Sequence, residues 1–140
     1  MDEKRFHLEI LTPEKKVFDG ETSYVSAPGV DGEFGVLPGH AELVSLIRPG
    51  EVSIEVGEQK TLMAVSWGYA YVDATSVSLL VENAENAGDI DLDRALKDKD
   101  RWEKELGGVD AESKEGVKFR SKIERAEARI ALASKLVVQK

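Results

Sequence analysis

The sequence predicts a protein in two parts, an N-terminal antiparallel β-sandwich followed by a C-terminal antiparallel two-helix hairpin. The first 81 residues hold short runs of alternating apolar and polar residues. Turn residues separate these runs about every eight to twelve positions, as in antiparallel sandwiches. After a polar stretch at 82–88, the apolar spacing lengthens from two to about three and a half residues. We therefore expect a β-sandwich domain at 1–88 and a helical hairpin domain at 89–140.

The strands are predicted from this alternation. In the first run, Phe6, Leu8 and Ile10 alternate with His7 and Glu9, which gives one buried face and one solvated face. The same pattern recurs at 52–56 and 77–81. The intervening turns contain all four prolines and lie at Thr12-Pro13, Asp19-Gly20, Pro28-Gly29, Pro38-Gly39, Arg48-Pro49-Gly50 and Gly57-Glu58.

The first helix of the hairpin is predicted to begin after Asp91 and to end at Gly107-Gly108. A carboxylate at this position can accept hydrogen bonds from the first unpaired backbone N–H groups, and glycine commonly closes a helix. The side chains predicted to face inward are Leu92, Ala95, Leu96, Trp102 and Leu106.

The second helix is predicted to open at Asp110 and to carry an apolar seam with heptad spacing. Gly116 lies inside this helix and costs about 1 kcal/mol relative to alanine. The seam includes only small or medium side chains beside one aromatic ring, so we expect a marginally stable hairpin that is able to rearrange. Its members are Phe119, Ile123, Ala126, Ile130, Ala133 and Val137.

The charge of the chain is unevenly distributed. The net charge is −8, which disfavours general binding to nucleic acid, and the apolar fraction of 41% indicates a folded protein. Residues 1–88 carry 6 basic and 15 acidic side chains, whereas 116–140 carry seven basic and two acidic ones. The basic second helix could bind anionic lipid, nucleic acid or an acidic protein surface, and its spacing favours a helix that docks in a groove.

The residues predict neither a catalytic site nor a metal site. The chain has no cysteine and two histidines far apart, His7 and His40. His7 is predicted to be an ordinary surface residue, and His40 to make either a local turn hydrogen bond or a protein contact. The glycines at 29–39 indicate tight turns, because they lack the spacing of a phosphate-binding loop. We expect an interaction subunit that is not an enzyme by itself, with no membrane span and no secretory signal.

One segment resembles a known family. The run at 32–41 (GEFGVLPGHA), followed by Leu43 and Arg48-Pro49-Gly50, is similar to the signature of the ε subunit of F-type ATP synthases. The run at 90–95 (IDLDRA) is similar to the first-helix motif of that family, and the resemblance extends over nearly the whole chain.

This resemblance implies a non-catalytic rotor subunit of the central stalk. Such a subunit couples proton flow to ATP synthesis and inhibits ATP hydrolysis through its C-terminal helices. The implied partners are the γ subunit, the c-ring, and the α and β subunits of the catalytic head, with no nucleic acid and no direct membrane insertion. Glu33 would face the c-ring and His40 would face γ. The residues implied to face the catalytic head are Arg120, Lys122, Arg125 and Arg129.

The resemblance also implies a location and a candidate ligand. We expect no transit peptide, and this expectation favours a peripheral position on the cytoplasmic face of a bacterial inner membrane. No cofactor is required, but some family members bind ATP in the folded hairpin as a regulatory ligand. The same residues could instead form structural ion pairs. A stand-alone ATP-sensing module is the alternative function. Glu85, Asp91, Arg94 and Arg101 lie at the spacings of the nucleotide-binding pattern. Arg125 and Arg129 correspond to its second-helix arginine pair when the apolar seams are aligned with one residue inserted in the loop.

The chain departs from the family pattern at Ser66-Trp67-Gly68, where the family often has Ser-Gly-Gly. The sequence alone leaves open whether the Trp67 ring packs locally or against a partner.

Overall fold

A computed structural model describes residues 4–139, with side-chain environments for residues 4–135. The chain divides into two compact units, residues 1–86 and 87–140. Among the described residues, the first unit has ten strands. They are β1 Phe6–Leu11, β2 Lys16–Thr22, β3 Tyr24–Gly29, β4 Gly32–Val36, β5 Leu43–Ile47, β6 Gly50–Val56, β7 Gln59–Val65, β8 Gly68–Val72, β9 Ser76–Val81 and β10 Ala84–Asn86.

The strands form one continuous hydrogen-bonded sheet that folds over into a sandwich, close to a barrel. The strand order is β10-β7-β6-β3-β5-β8-β9-β1-β2, and β4 pairs with β3. The pairings are antiparallel except for β1 with β9, which is parallel. The predicted antiparallel β-sandwich is therefore confirmed, with this one parallel pair as the difference.

The core of the first unit lies between the two layers and follows the predicted alternation. Leu8, Ile10 and Leu79 are fully buried, whereas Leu80, which follows Leu79 in β9, is exposed. Because successive side chains of a strand point to opposite faces, the alternation in the sequence reports burial directly. The rest of the buried cluster is Phe6, Val25, Ala27, Val36, Ile47, Val52, Ile54, Met63, Val65, Ala70, Val72, Val77 and Val81.

The second unit begins with a short 3₁₀ turn, Ala87–Asp89, and continues as α1, Leu92–Gly107. Asp91 caps α1 as predicted, since its Oδ1 accepts a hydrogen bond from the backbone N–H of Arg94 at 3.1 Å. The predicted inward position of Leu96 is wrong, because its side chain is 48% exposed. Buried Ala95 occupies the seam, and the next residue is rotated by about 100° around the helix.

The second helix, α2, spans Lys114–Gln139, so the predicted start at Asp110 is wrong. Ser113 is the capping residue, because its Oγ accepts a hydrogen bond from the backbone N–H of Gly116 at 3.0 Å. Asp110 lies in the preceding turn, where its carboxylate accepts from the N–H of Glu112. Both residues can act as caps, and the Asp110 side chain is used inside the loop instead.

The two helices run antiparallel, as predicted. Asp98 of α1 lies beside Arg129 of α2, whereas Trp102, further along α1, stacks on the earlier Phe119. In the seam, Ala126 and Ala133 are buried as expected, but Leu132 is buried too and was not predicted. The predicted seam residue Val137 lies outside the residues whose side chains are described. No helix within residues 4–139 is both long and apolar enough to cross a membrane.

Candidate functional site

An exposed apolar surface covers the outer side of β5, β8 and β9. Cross-strand pairing places Val44 opposite Tyr71, and Tyr69 opposite both Leu46 and Leu80. All five side chains are exposed, with Val44 at 65% and Leu46 at 49%. We call these five residues the apolar face. A surface of contiguous apolar residues on a soluble domain marks a protein contact more often than isolated apolar residues do.

The apolar face was not predicted from the sequence, although the sequence holds a trace of it. The segments at 43–47 (LVSLI) and 68–72 (GYAYV) are apolar or aromatic at positions that point to both sides of their strands. An antiparallel strand with one solvated side normally alternates with polar residues. The lack of alternation therefore indicated either burial on both sides or a partner on the outer side.

An apolar groove continues the apolar face at one end. Its volume is about 480 Å³, and Trp67 forms one wall. Gly68 allows this geometry, because a Cβ there would collide with the backbone of Leu80 on the neighbouring strand. The Trp67 ring therefore lines an open groove on the first unit. The lining residues are Leu11, Thr12, Pro13, Leu46, Trp67, Gly68, Tyr69, Leu80, Val81 and Glu82.

Glu33 and His40, the residues predicted to contact partners, lie in and after β4. Glu33 is exposed on the strand itself. The His40 ring packs edge-on against Phe6, with ring centroids 5.3 Å apart. Both His40 ring nitrogens are buried and make no hydrogen bond to any residue that the structure describes. The local turn hydrogen bond that the sequence offered as one alternative is therefore not formed.

The positions proposed from the sequence for a nucleotide divide between the two units. Glu85 belongs to β10 in the first unit, and the other five lie in the second. Three of those five have structural contacts. The Asp91 carboxylate caps α1, and the Arg129 guanidinium lies 3.6 Å from the Asp98 carboxylate. The guanidinium of Arg101 lies over the Trp102 ring, 4.6 Å from its centroid. Arg94 and Arg125 are exposed.

The residues predicted to contact the catalytic head all lie on α2 but differ in environment. Lys122 is half-buried, and its Nζ lies 4.6 Å from the centroid of the Trp102 ring. A cation over an indole ring is attracted by the negative face of the ring. Arg129 is held in its ion pair and has only 13% of its side chain exposed. Arg120 and Arg125 are exposed, so these two can reach an external acidic surface without breaking a contact.

His7 joins a charged network on the outer side of β1 and β2. Its Nε2 lies 2.8 Å from the Asp19 carboxylate, and the Lys16 ammonium lies 3.0 Å from Glu9 and 3.1 Å from Asp19. The pKa of Lys16 is raised by its hydrogen bonds, first to Glu9 and to a smaller extent to Asp19. The hydrogen bond from Lys16 in turn lowers the pKa of Asp19. His7, Glu9 and Asp19 have the donor atoms of a metal site, but the Lys16 ammonium already pairs with both carboxylates. The cluster is therefore explained as an ion-pair network.

Comparison with known proteins places these features in a family. The sequence profile described as "ATP synthase, Delta/Epsilon chain, beta-sandwich domain" matches residues 5–87. The ATP synthase epsilon chain of Nitratidesulfovibrio vulgaris (strain DP4) is 41% identical over 128 residues, which cover 91% of this chain and 95% of the relative. The epsilon chain of Citrifermentans bemidjiense is 39% identical over 132 residues, covering 94% and 96% of the two chains.

Two solved structures share the fold at low sequence identity. A chain of the Euglena gracilis mitochondrial ATP synthase (OSCP/F1/c-ring) has a TM-score of 0.77 at 19% identity, covering 96% of this chain and 81% of the other. A chain of the Tetrahymena thermophila mitochondrial ATP synthase (central stalk/c-ring) has a TM-score of 0.62 at 14% identity, covering 97% and 98%.

Proposed function

The chain belongs to the family of ATP synthase epsilon chains, and on that premise we propose that it is a non-catalytic rotor subunit of the central stalk. In this role it couples proton flow to ATP synthesis and inhibits ATP hydrolysis through α1 and α2. The observation that carries the proposal is the apolar face, which gives the first unit a surface for permanent attachment to a neighbouring subunit. That neighbour is the γ subunit.

The apolar face is large enough to support such an attachment. Fully burying a large apolar side chain contributes about 1.5 to 3 kcal/mol. The five side chains are already about half covered, so complete burial contributes on the order of 5 kcal/mol before the entropy of association is subtracted. The groove and the segment around His40 would enlarge this contact. Glu33, exposed on β4, is proposed to face the c-ring.

The hairpin is proposed to act as the brake on hydrolysis. Exposed Arg120 and Arg125 on α2 can meet acidic loops of the α and β subunits. Lys122 and Arg129 can also contact these acidic loops, but only after Lys122 leaves the Trp102 ring and Arg129 leaves the Asp98 carboxylate. A hairpin held by such modest contacts is suited to switching between two arrangements.

ATP is proposed as a regulatory ligand of the hairpin, held by Asp91, Arg94, Arg101, Arg125 and Arg129. Guanidinium groups bind phosphate through charge-assisted, often bidentate hydrogen bonds. Equilibrium dialysis with labelled ATP tests this proposal. Arg94→Gln should weaken ATP binding and leave the Asp98–Arg129 pair intact. Unchanged affinity in that variant would contradict the proposed site.

The subunit is proposed to be peripheral, on the cytoplasmic face of a bacterial inner membrane. This proposal rests on the membership of the chain in the family of ATP synthase epsilon chains.

A reconstitution experiment tests the proposed function. A catalytic head that retains γ but is stripped of its own epsilon chain is mixed with the full chain, and binding and ATP hydrolysis are measured. We expect tight binding and slower hydrolysis. Leu46→Asp should weaken binding at least about tenfold, because it buries a charge in the contact. Leu96→Asp is the matched control, since both leucines are about half exposed but Leu96 lies on α1.

The outcomes separate the parts of the proposal. Equal binding of the two variants would refute the apolar face as the attachment surface. Binding without slower hydrolysis would refute the inhibitory role and leave the coupling role. If the full chain does not bind the head at all but does bind ATP, the stand-alone ATP-sensing module is the better description.

A further inference from the structure

The groove beside Trp67 is an unassigned feature that the apolar face does not explain. It shares Leu46, Tyr69 and Leu80 with the apolar face but extends past them to Leu11 and Pro13 at the end of β1. Its volume of about 480 Å³ falls in the range of sites that enclose a ligand or an anchoring side chain. The groove is thus a concave site that adjoins a flat one.

The Trp67 wall is held in place by backbone hydrogen bonds on both sides. The N–H of Glu82 donates to the Trp67 carbonyl at 2.9 Å, and the N–H of Ser66 donates to the Asn83 carbonyl at 3.0 Å. Gly68 follows directly and lets β8 approach β9 closely. A fixed backbone on which one large ring lines a cavity makes a preformed site, which loses little entropy on binding.

The charge at the groove is negative. Among the described residues that line it, Glu82 alone is charged, and its side chain is exposed. The surrounding region, residues 1–88, carries 15 acidic and 6 basic side chains. An apolar cavity with a single carboxylate, in an acidic domain, is complementary to an apolar group that carries a positive charge.

We propose that this groove receives an apolar side chain from a partner segment in which a lysine or arginine follows the anchor and pairs with Glu82, and that Trp67 selects that segment. This inference rests on the proposed function, because it assigns a specific contact within the attachment of the first unit to its stalk neighbour.

Small probes of equal shape and different charge test the chemistry of the groove without the partner. The full chain, labelled with ¹⁵N, is titrated with phenethylammonium, with 2-phenylethanol and with 3-phenylpropionate. Trp102→Phe identifies which of the two indole N–H signals belongs to Trp67. We expect the Trp67 signal to shift, with the cation binding about two- to fivefold tighter than the alcohol, as for an exposed ion pair. The anion should bind most weakly.

Two variants separate the apolar and charged contributions. Glu82→Gln should remove the preference for the cation and leave binding of the alcohol unchanged. Because Trp67→Ala and Trp67→Phe remove the indole signal, their titrations are followed on the backbone N–H signals of Tyr69 and Leu80, which line the groove. Trp67→Ala should weaken all three probes, and Trp67→Phe should restore most of the binding if Trp67→Ala disturbs the strand. Absence of any probe-dependent shift at Trp67, or equal affinity for cation and alcohol, would overturn the proposal.

The partner assignment is tested by repeating the titration on the chain bound to the catalytic head and γ. The probe should no longer shift the Trp67 signal, because the partner's own anchor occupies the groove. If the chain binds the head and the probe still binds equally well, the groove is uncovered and the inference is wrong, while the proposed function stands. Failure of the chain to bind the head is a separate result, which contradicts the proposed function itself.

Discussion

Gly116 gives the sharpest test of how the hairpin is built. In an exposed helix interior, glycine to alanine stabilises a protein by about 1 kcal/mol. At this position, however, a Cβ would overlap the carbonyl oxygens of Asp110 and Ala111 in the preceding loop. Backbone atoms cannot rotate away as a side chain can, and overpacking of this kind costs about 1 to 3 kcal/mol. After the helical gain of about 1 kcal/mol is subtracted from this cost, we expect Gly116→Ala to lower the free energy of unfolding of the hairpin by up to about 2 kcal/mol.

Gly107→Ala is the matched control. Gly107 is the last residue of α1, and a Cβ there would meet no atom within 4 Å. Its substitution should be neutral or stabilising by up to about 1 kcal/mol. Urea unfolding is followed by Trp102 fluorescence in a Trp67→Phe background, because Trp102 stacks on Phe119 and reports on contact between the helices. If both alanine variants stabilise equally, the loop does not pack as described and the reasoning is refuted.

Two further predictions concern a helix cap and a turn. Asp91→Ala removes the acceptor of the Arg94 N–H bond and should cost about 1 kcal/mol of hairpin stability in the same urea assay. Asp93→Ala, in the exposed first turn, is its control and should cost much less. In the first unit, hydrogen bonds from the N–H groups of Thr75 and Ser76 lower the pKa of Asp73. The ionised Asp73 carboxylate therefore stabilises the folded state at pH values above the unfolded pKa of about 3.9. This stabilisation is lost as the pH falls through the lower pKa of the folded state. Carboxyl NMR titration should place the Asp73 pKa below that of an unstructured aspartate, and an equal or higher value would contradict the turn geometry.

The sequence predicted the fold best where one physical rule decides the outcome. Leu8 and Ile10 alternate with polar residues in a strand with one solvated side, so their burial could be read directly. The cap at Asp91 could be predicted equally well, because few other groups compete for the first N–H groups of α1. The rule failed at the second helix, where Asp110 and Ser113 are both good caps and the packing of Gly116 decides between them.

The candidate site could be predicted only in part. The motif at 32–41 led to the family, but the apolar face depends on which strands become neighbours, and that is a property of the tertiary fold. Leu96 and Leu132 were misassigned for a related reason. A periodic apolar pattern gives the width of a helical stripe but not its centre, which is fixed by the contacts that the partner helix provides.

The parallel pairing of β1 with β9 determines when the first unit can fold on the ribosome. Pairs such as Leu8 with Val77 join positions roughly seventy residues apart. At a synthesis rate of about 5 to 20 residues per second, β1 emerges several seconds before its parallel neighbour. During that time β1 can pair only with β2, and an isolated two-stranded hairpin is at best marginally stable in water. The nascent sandwich therefore leaves one backbone edge of its first strand without its partner strand until nearly the whole first unit has been made.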